Sequence, residues 1–193
     1  MSHLGGRIRV PRMSHESLEL LKYPTGKFVR GTRAGTPDRI ATCIAIIEAF
    51  PEKLRAEVQG LSDRHLDTPY RPGGWTVRQL VHHIADSHSQ TRHRFKLALT
   101  EEKPVIKPYK EALWAEHIDA RTMPLEPSLA IVSGTHARWV LLMRGMSTAE
   151  WDRVFVHPEQ QREISLAEAL ELYVWHSGHH LAHITGLKAR GFQ

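Results

Sequence analysis

The sequence predicts an all-α fold, a four-helix bundle, on three observations. Four long stretches repeat apolar residues every three to four positions. Strict two-residue alternation, the mark of a half-buried strand, is nearly absent. The last of the four stretches holds His176, His179, His180 and His183 within eight positions, and a helix turns that spacing into neighbouring side chains. At 193 residues the chain suits a single domain whose core needs no covalent staple. Its one cysteine, Cys43, cannot form an intramolecular disulfide, which fits a reducing compartment.

Taken in order, residues 1–36 are rich in Gly, basic and hydroxyl residues, include Pro11 and Pro24, and predict an extended basic arm, with Met13 as an alternative translation start. Residues 37–193 form the single bundle domain. Thr36-Pro37-Asp38 opens its first helix, with Pro37 at the first helical position. Ile40, Ile44, Ile47 and Leu54 follow at helical spacing, with a kink or break expected at Pro51 and a stop near Gly60. A connector running from Ser62-Asp63 ends at Pro72-Gly73-Gly74. Thr76 caps the second helix, whose stripe is Val77, Leu80, Val81, Ile84, Phe95 and Leu99. Pro104, Pro108, Pro124 and Pro127 exclude a continuous helix over 101–127 and predict a long loop, a wall or lid over a site. Helical periodicity resumes from Leu129 to Met146, and a short hairpin is expected around His157-Pro158-Glu159. The final helix runs from Leu166 to Arg190, with a capping-box signal in Ser165 and Glu168 and a stop at Gly191.

The net charge of +5 sits in the arm: residues 1–36 carry seven Lys/Arg against two acids, and the remainder is formally neutral. The arm has no interleaved aromatics and no DNA-reading motif, so nucleic acid is not the expected partner. No apolar run approaches the roughly 20 residues of a membrane span, and the N-terminus lacks the apolar centre of a secretory signal. A cytoplasmic protein is expected.

Chemistry concentrates in the histidines. On the last helix Leu166, Leu170, Tyr173, Val174, Ser177, Leu181 and Ile184 mark the apolar face. His176 and His180 lie on its edge, one turn apart, a spacing that lets two imidazoles grip one metal ion. His179 and His183 project further toward solvent. The second helix offers His82, His83 and His88. The wheel favours His88, whereas metal sites at the seam between helices would favour His83, and the residues leave both open. Asp86, three positions beyond His83, could orient a ligand or accept a proton. His136 in the third helix could approach the site. His3, His15, His65, His93, His117 and His157 read as ordinary histidines, Trp75, Trp139 and Trp175 as packing anchors, and Cys43 as core.

The run from Tyr70 to His88, Arg94-Phe95-Lys96-Leu97, Lys107-Pro108-Tyr109, His136-Ala137-Arg138-Trp139, Tyr173-Val174-Trp175-His176 and His179-His180-Leu181-Ala182-His183-Ile184 resemble the DinB-like superfamily, in its YfiT-like branch of metal-dependent hydrolases. The likeness runs from about Tyr23-Pro24 to the C-terminus. It implies an up-down-down-up bundle, a cytoplasmic homodimer, and one divalent ion per chain, zinc or nickel, on His83, His176 and His180. Many members have Gln at the position of His183 and Glu at that of His88. Both differences fit the YfiT-like branch and leave open a role for His183 and His88 in supporting the ligands or in catalysis. The implied activity is hydrolysis of a small-molecule substrate by activated water, with His88 and Asp86 as catalytic candidates. Two alternatives are a metal-dependent S-transferase using a low-molecular-weight thiol such as bacillithiol, and a non-catalytic protein that binds a metal or small ligand.

Overall fold

The computed structural model describes residues 15–30 and 35–193. Met13 and the arm residues Arg7, Arg9, Arg12 and Arg33 lie outside the described residues. Eight helices appear among those described: α1 (His15–Lys22), α2 (Pro37–Val58), α3 (Asp63–Leu66), α4 (Val77–Thr100), α5 (Glu111–Trp114), α6 (Ile118–Thr122), α7 (Glu126–Arg144) and α8 (Leu166–Ala189). A 3-10 turn over Thr148–Asp152 leads into an antiparallel hairpin of β1 (Val154–His157) and β2 (Arg162–Ser165), which pairs Phe155 with Ile164.

Helices α2, α4 and α8 start where the sequence signals them, whereas α7 begins at Glu126, ahead of the expected Leu129, with Pro127 in its first turn. Thr76 makes a complete capping box at α4: its hydroxyl accepts from the Gln79 amide at 3.1 Å while its own N–H donates to Gln79 Oε1 at 3.0 Å. At α8 only half the box forms. Ser165 Oγ accepts from the Glu168 amide, but the Glu168 carboxylate turns to Arg162, 2.9 Å away, instead of reaching back to the cap.

Three expectations are revised. Helix α2 runs unbroken through Pro51. Proline removes one N–H from the ladder, the one that would serve the carbonyl four residues earlier, on Ile47. That carbonyl accepts a hydrogen bond from His136 Nδ1 at 2.6 Å instead. The 101–127 segment is not bare loop: α5 and α6 form within it, between Pro108 and Pro124. Buried Arg78 of α4 ties its far end down, donating to the Met123 carbonyl as well as to Asp63 and Asp67. Finally, within the arm, residues His15–Lys22 form a helix, and Trp175 Nε1 of α8 donates to the Gly26 carbonyl that follows it.

In the bundle, α2 packs against α7 and α8, and α4 packs against the same two helices. The first two long helices are therefore diagonal, and α4 shares a seam with α8. The apolar core divides into two clusters. One gathers Ile47, Phe95, Trp139, Leu166 and Leu170. The other gathers Phe50, Leu54, Leu80, Ile84 and Ile184. On α4, α7 and α8 the chain passes from one cluster to the other through a histidine: His88, His136 and His176. Cys43 is fully buried in the first cluster, as its apolar neighbours predict. No helix among the described residues is long and apolar enough to cross a membrane.

Trp139 is fully buried, with its ring edge-on to Phe95 at 5.1 Å. Truncating it leaves a cavity that rigid helices cannot close, so Trp139→Ala should lower the unfolding free energy by about 3–5 kcal/mol. Leu141→Ala, at a residue 75% exposed on the same helix, should change it by less than about 0.5 kcal/mol. Urea denaturation of the two variants checks the contrast.

Candidate metal centre

The seam between α4 and α8 brings together the residues that motif position and periodicity had selected. His176 and His180 face each other one turn apart on α8, with ring centroids 4.4 Å apart. His83 meets them from α4, its Nε2 lying 3.2 Å from His176 Nε2. One nitrogen from each of the three rings lies within 4.8 Å of the other two, a grouping that could hold a metal ion. His179, His180 and His183 form a second such group, sharing His180.

The second group differs in what surrounds it. His179 and His183, expected toward solvent, are only 6% and 3% exposed. Two features that the helical wheel cannot see cover them. The end of α1 places the Lys22 carbonyl 3.2 Å from His183 Nε2, and the turn after it places Thr25 Oγ1 3.4 Å from His179 Nδ1. Tyr70, from the connector before α4, stacks on His183 at 3.9 Å, and Trp175 stacks on His179 at 4.5 Å. One nitrogen of His183 is thus committed to the backbone, whereas His83 and His176 turn their Nε2 atoms toward each other.

Burial keeps the whole cluster neutral. It pushes the His83 imidazole down to about 4 and His183 to about 3. His176 and His180 fall well below the ordinary range, first through burial and then through neighbouring imidazoles. Neutral rings present the lone pairs that metal coordination requires. His180 Nδ1 is buried with no hydrogen-bond partner among the described residues. The donor set therefore fits a divalent ion of borderline softness, and three protein ligands are the number found in catalytic sites.

The remaining candidates fall into distinct places. His88, which the wheel nominated, is fully buried behind His176 and bonds it through Nε2 at 3.1 Å. Its ring is enclosed on all sides by the core. His136 lies behind His88, 2.7 Å away. Its part in this network was not read from the sequence, although its position in the middle of an apolar stripe is a visible signal. Asp86, one turn beyond His83, is half-buried, and its carboxyl is raised to about 6 by burial and then by Asp119. Among the described residues it has no hydrogen-bond or ion-pair partner. His82 is structural, bridging Ser128 Oγ at 2.7 Å and the Met123 carbonyl at 3.1 Å. Trp75 packs on His83 at 4.7 Å.

One further contributor comes from the 101–127 segment. The Tyr109 hydroxyl lies beside the Ser87 side chain and is held protonated well above its usual range, chiefly by burial. Tyr173 of α8 bonds both the Ser87 hydroxyl and the Ser87 carbonyl, which joins α8 to α4 one turn beyond His83. Only the fold could reveal the place of Tyr109, because Tyr109 has no periodic partner in the sequence.

Fold and site together define a four-helix bundle with a buried histidine centre able to hold a metal ion. The family model for the DinB superfamily matches residues 46–184, and the chain belongs to that superfamily. A protein of Bacillus subtilis (strain 168) named "Putative metal-dependent hydrolase YfiT" is 46% identical over 170 residues, covering 88% of this chain and 95% of its own. A "Putative metal-dependent hydrolase" of Bacillus cereus (strain 03BB102) is 48% identical over 170 residues, covering 88% of this chain and 96% of its own. The solved structure of Bacillus subtilis YfiT, described as "a probable metal-dependent hydrolase with an unusual four-helix bundle topology", superposes with a TM-score of 0.87 at 45% identity. That match covers 89% of this chain and 98% of the solved one.

The depressed imidazoles set a pH dependence for the metal-free fold. Each folded-state pKa lies below the unfolded value of 6.5, so protons bind the unfolded chain first. The contribution is complete above pH 6.5 and is lost as pH falls toward about 4 for His83 and His136. At a pH one unit below the unfolded value each such histidine costs about 1.4 kcal/mol. Chelator-treated protein should therefore show a urea midpoint that is flat above neutrality and drops steeply on acidification to about pH 5.

Proposed function

We propose that this protein is a metal-dependent hydrolase of a small molecule, in which His83, His176 and His180 hold one divalent ion, zinc or nickel. The observation that carries this reading is the convergence of three neutral imidazoles, from two helices, within 4.8 Å of one another. The names of its close relatives support the metal-dependent class. A divalent ion on such ligands lowers the pKa of bound water to roughly 7 and polarises a carbonyl or phosphoryl oxygen.

The protein's own groups supply the rest. Asp86 is the proton acceptor: its carboxyl titrates near 6, so at neutral pH it is ionised yet basic enough to take a proton from water. Nothing among the described residues competes for its oxygens. The 101–127 segment forms a wall, fixed by Arg78 on the Met123 carbonyl and Gln79 on the Ala115 carbonyl, and it limits what enters. Tyr109 stays protonated and offers a hydroxyl donor beside Asp86. A cytoplasmic location suits the unpaired, buried thiol of Cys43.

Metal content separates the two histidine groups. His83→Ala and His180→Ala should each lose the stoichiometric ion from purified protein, and His183→Ala should keep it. The opposite pattern for His83 and His183 would move the ion to the second group.

Chelator-sensitive cleavage of small esters, such as 4-nitrophenyl acetate, by water alone tests the activity. Turnover only with an added low-molecular-weight thiol would make the protein an S-transferase, and none under either condition would leave a binding protein. Asp86→Asn should lower kcat/KM by about 10²–10⁴-fold at unchanged metal content.

A further inference from the structure

We propose that His88 and His136 are positioning residues that, from the far side of the bundle, fix the tautomer of His176 and aim its Nε2 lone pair at His83 and His180. The proposal rests on the metal-site reading above only for the consequence it has on the ion. The chain itself is a property of the metal-free protein.

The direction of every hydrogen bond follows from one end. The Ile47 carbonyl oxygen can only accept, so His136 Nδ1, 2.6 Å away, carries the proton. A neutral imidazole has one N–H, so His136 Nε2 must accept, and the donor 2.7 Å away is His88 Nδ1. His88 Nε2 is then an acceptor, and His176 Nδ1 donates to it at 3.1 Å. That leaves His176 Nε2 with its lone pair, 3.2 Å from His83 Nε2. No carboxylate touches any of the three rings among their described hydrogen bonds, and burial holds all three neutral. The chain thus has one consistent set of tautomers, which a charged member would break.

Sequence and packing supply the fixed end and the rigidity. Pro51 has no N–H to give Ile47, which leaves that carbonyl open to His136. Phe50 stacks on both His88 and His136 at 5.5 Å, and Tyr173 stands edge-on to His88 at 5.1 Å. A ring flip would replace nitrogens by carbons at both ends of His88. Because the chain terminates on a carbonyl, which has no proton to pass on, it orients His176 without conducting protons out of the bundle. A neutral backing also makes His176 a weaker donor than a carboxylate backing would, and so leaves a bound ion more electrophilic.

Long-range 1H–15N correlation spectra of the chelator-treated full chain, labelled at histidine, test the chain directly. The expected result is an Nδ1–H tautomer at His136, His88 and His176; an Nε2–H tautomer at any of them overturns the proposal. Zinc competition against a chromogenic chelator tests the consequence. His88→Leu should weaken zinc binding by about 10–100-fold, and His136→Leu should weaken it in the same direction although it lies one ring further away. His88→Gln, whose amide can accept from His176 and donate to His136, should recover much of the affinity. Equal zinc affinity in folded His88→Leu and wild type would reduce the chain to a packing role. If wild type binds no zinc or nickel, the metal reading falls while the tautomer result still decides the chain.

Discussion

A row of uncharged imidazoles in the middle of a helical bundle is the constraint around which this molecule is arranged. Imidazole is a poor core residue unless both ring nitrogens meet partners of the right sense. Here the requirement propagates from ring to ring: Ile47 sets His136, His136 sets His88, and His88 sets His176. The core is divided into two apolar clusters on either side of this layer. Each helix of the bundle contributes to it, α2 through a backbone carbonyl and the others through histidines. The surrounding apolar packing in turn raises the cost of charging any ring, which is why the same burial that isolates the histidines keeps their lone pairs available.

The helix arrangement makes that layer possible. With α2 and α4 on a diagonal, α4 shares one seam with α8 and another with α7. His83 faces the first, while His88 sits deep enough to bond His176 on α8 and His136 on α7. The metal-capable nitrogens thus meet at the α4–α8 seam, and their supports lie deeper in the bundle. Two non-bundle segments complete the site. The end of α1 and the turn after it close over His179 and His183, and the 101–127 segment stands beside Asp86 and Ser87. Both are fastened by backbone carbonyls accepting from side chains, contacts that depend little on the identity of the residue supplying the carbonyl.

Much of this was legible beforehand, and the failures have specific physical causes. Period and caps gave the long helices because amphipathicity and N-cap chemistry are local. Local rules make Pro51 an interruption, since proline's local effect is to remove a hydrogen bond; the fold supplies a substitute from α7. A helical wheel turns His179 and His183 toward solvent because it counts only a helix's own stripe, and their hydrogen-bonding cover comes from residues more than 100 positions away. His88 was correctly seen as central. What centrality could not say is that a ring deep in the stripe reaches other side chains and no solvent, whereas a ring on the seam, such as His83, can meet groups from two helices.

The sequence by itself determined the four-helix architecture, the inward pairing of His176 with His180, and, through its family likeness, His83 as their companion. These follow from spacing along single helices and from extended motifs. Only the tertiary structure decided what stands behind His83, His176 and His180. The His136–His88–His176 chain joins three helices and one carbonyl that are remote in sequence, and the sense of each hydrogen bond is fixed by the next partner along. Helical periodicity can say which way a side chain faces, but a proton's position on an imidazole is set by what it meets there.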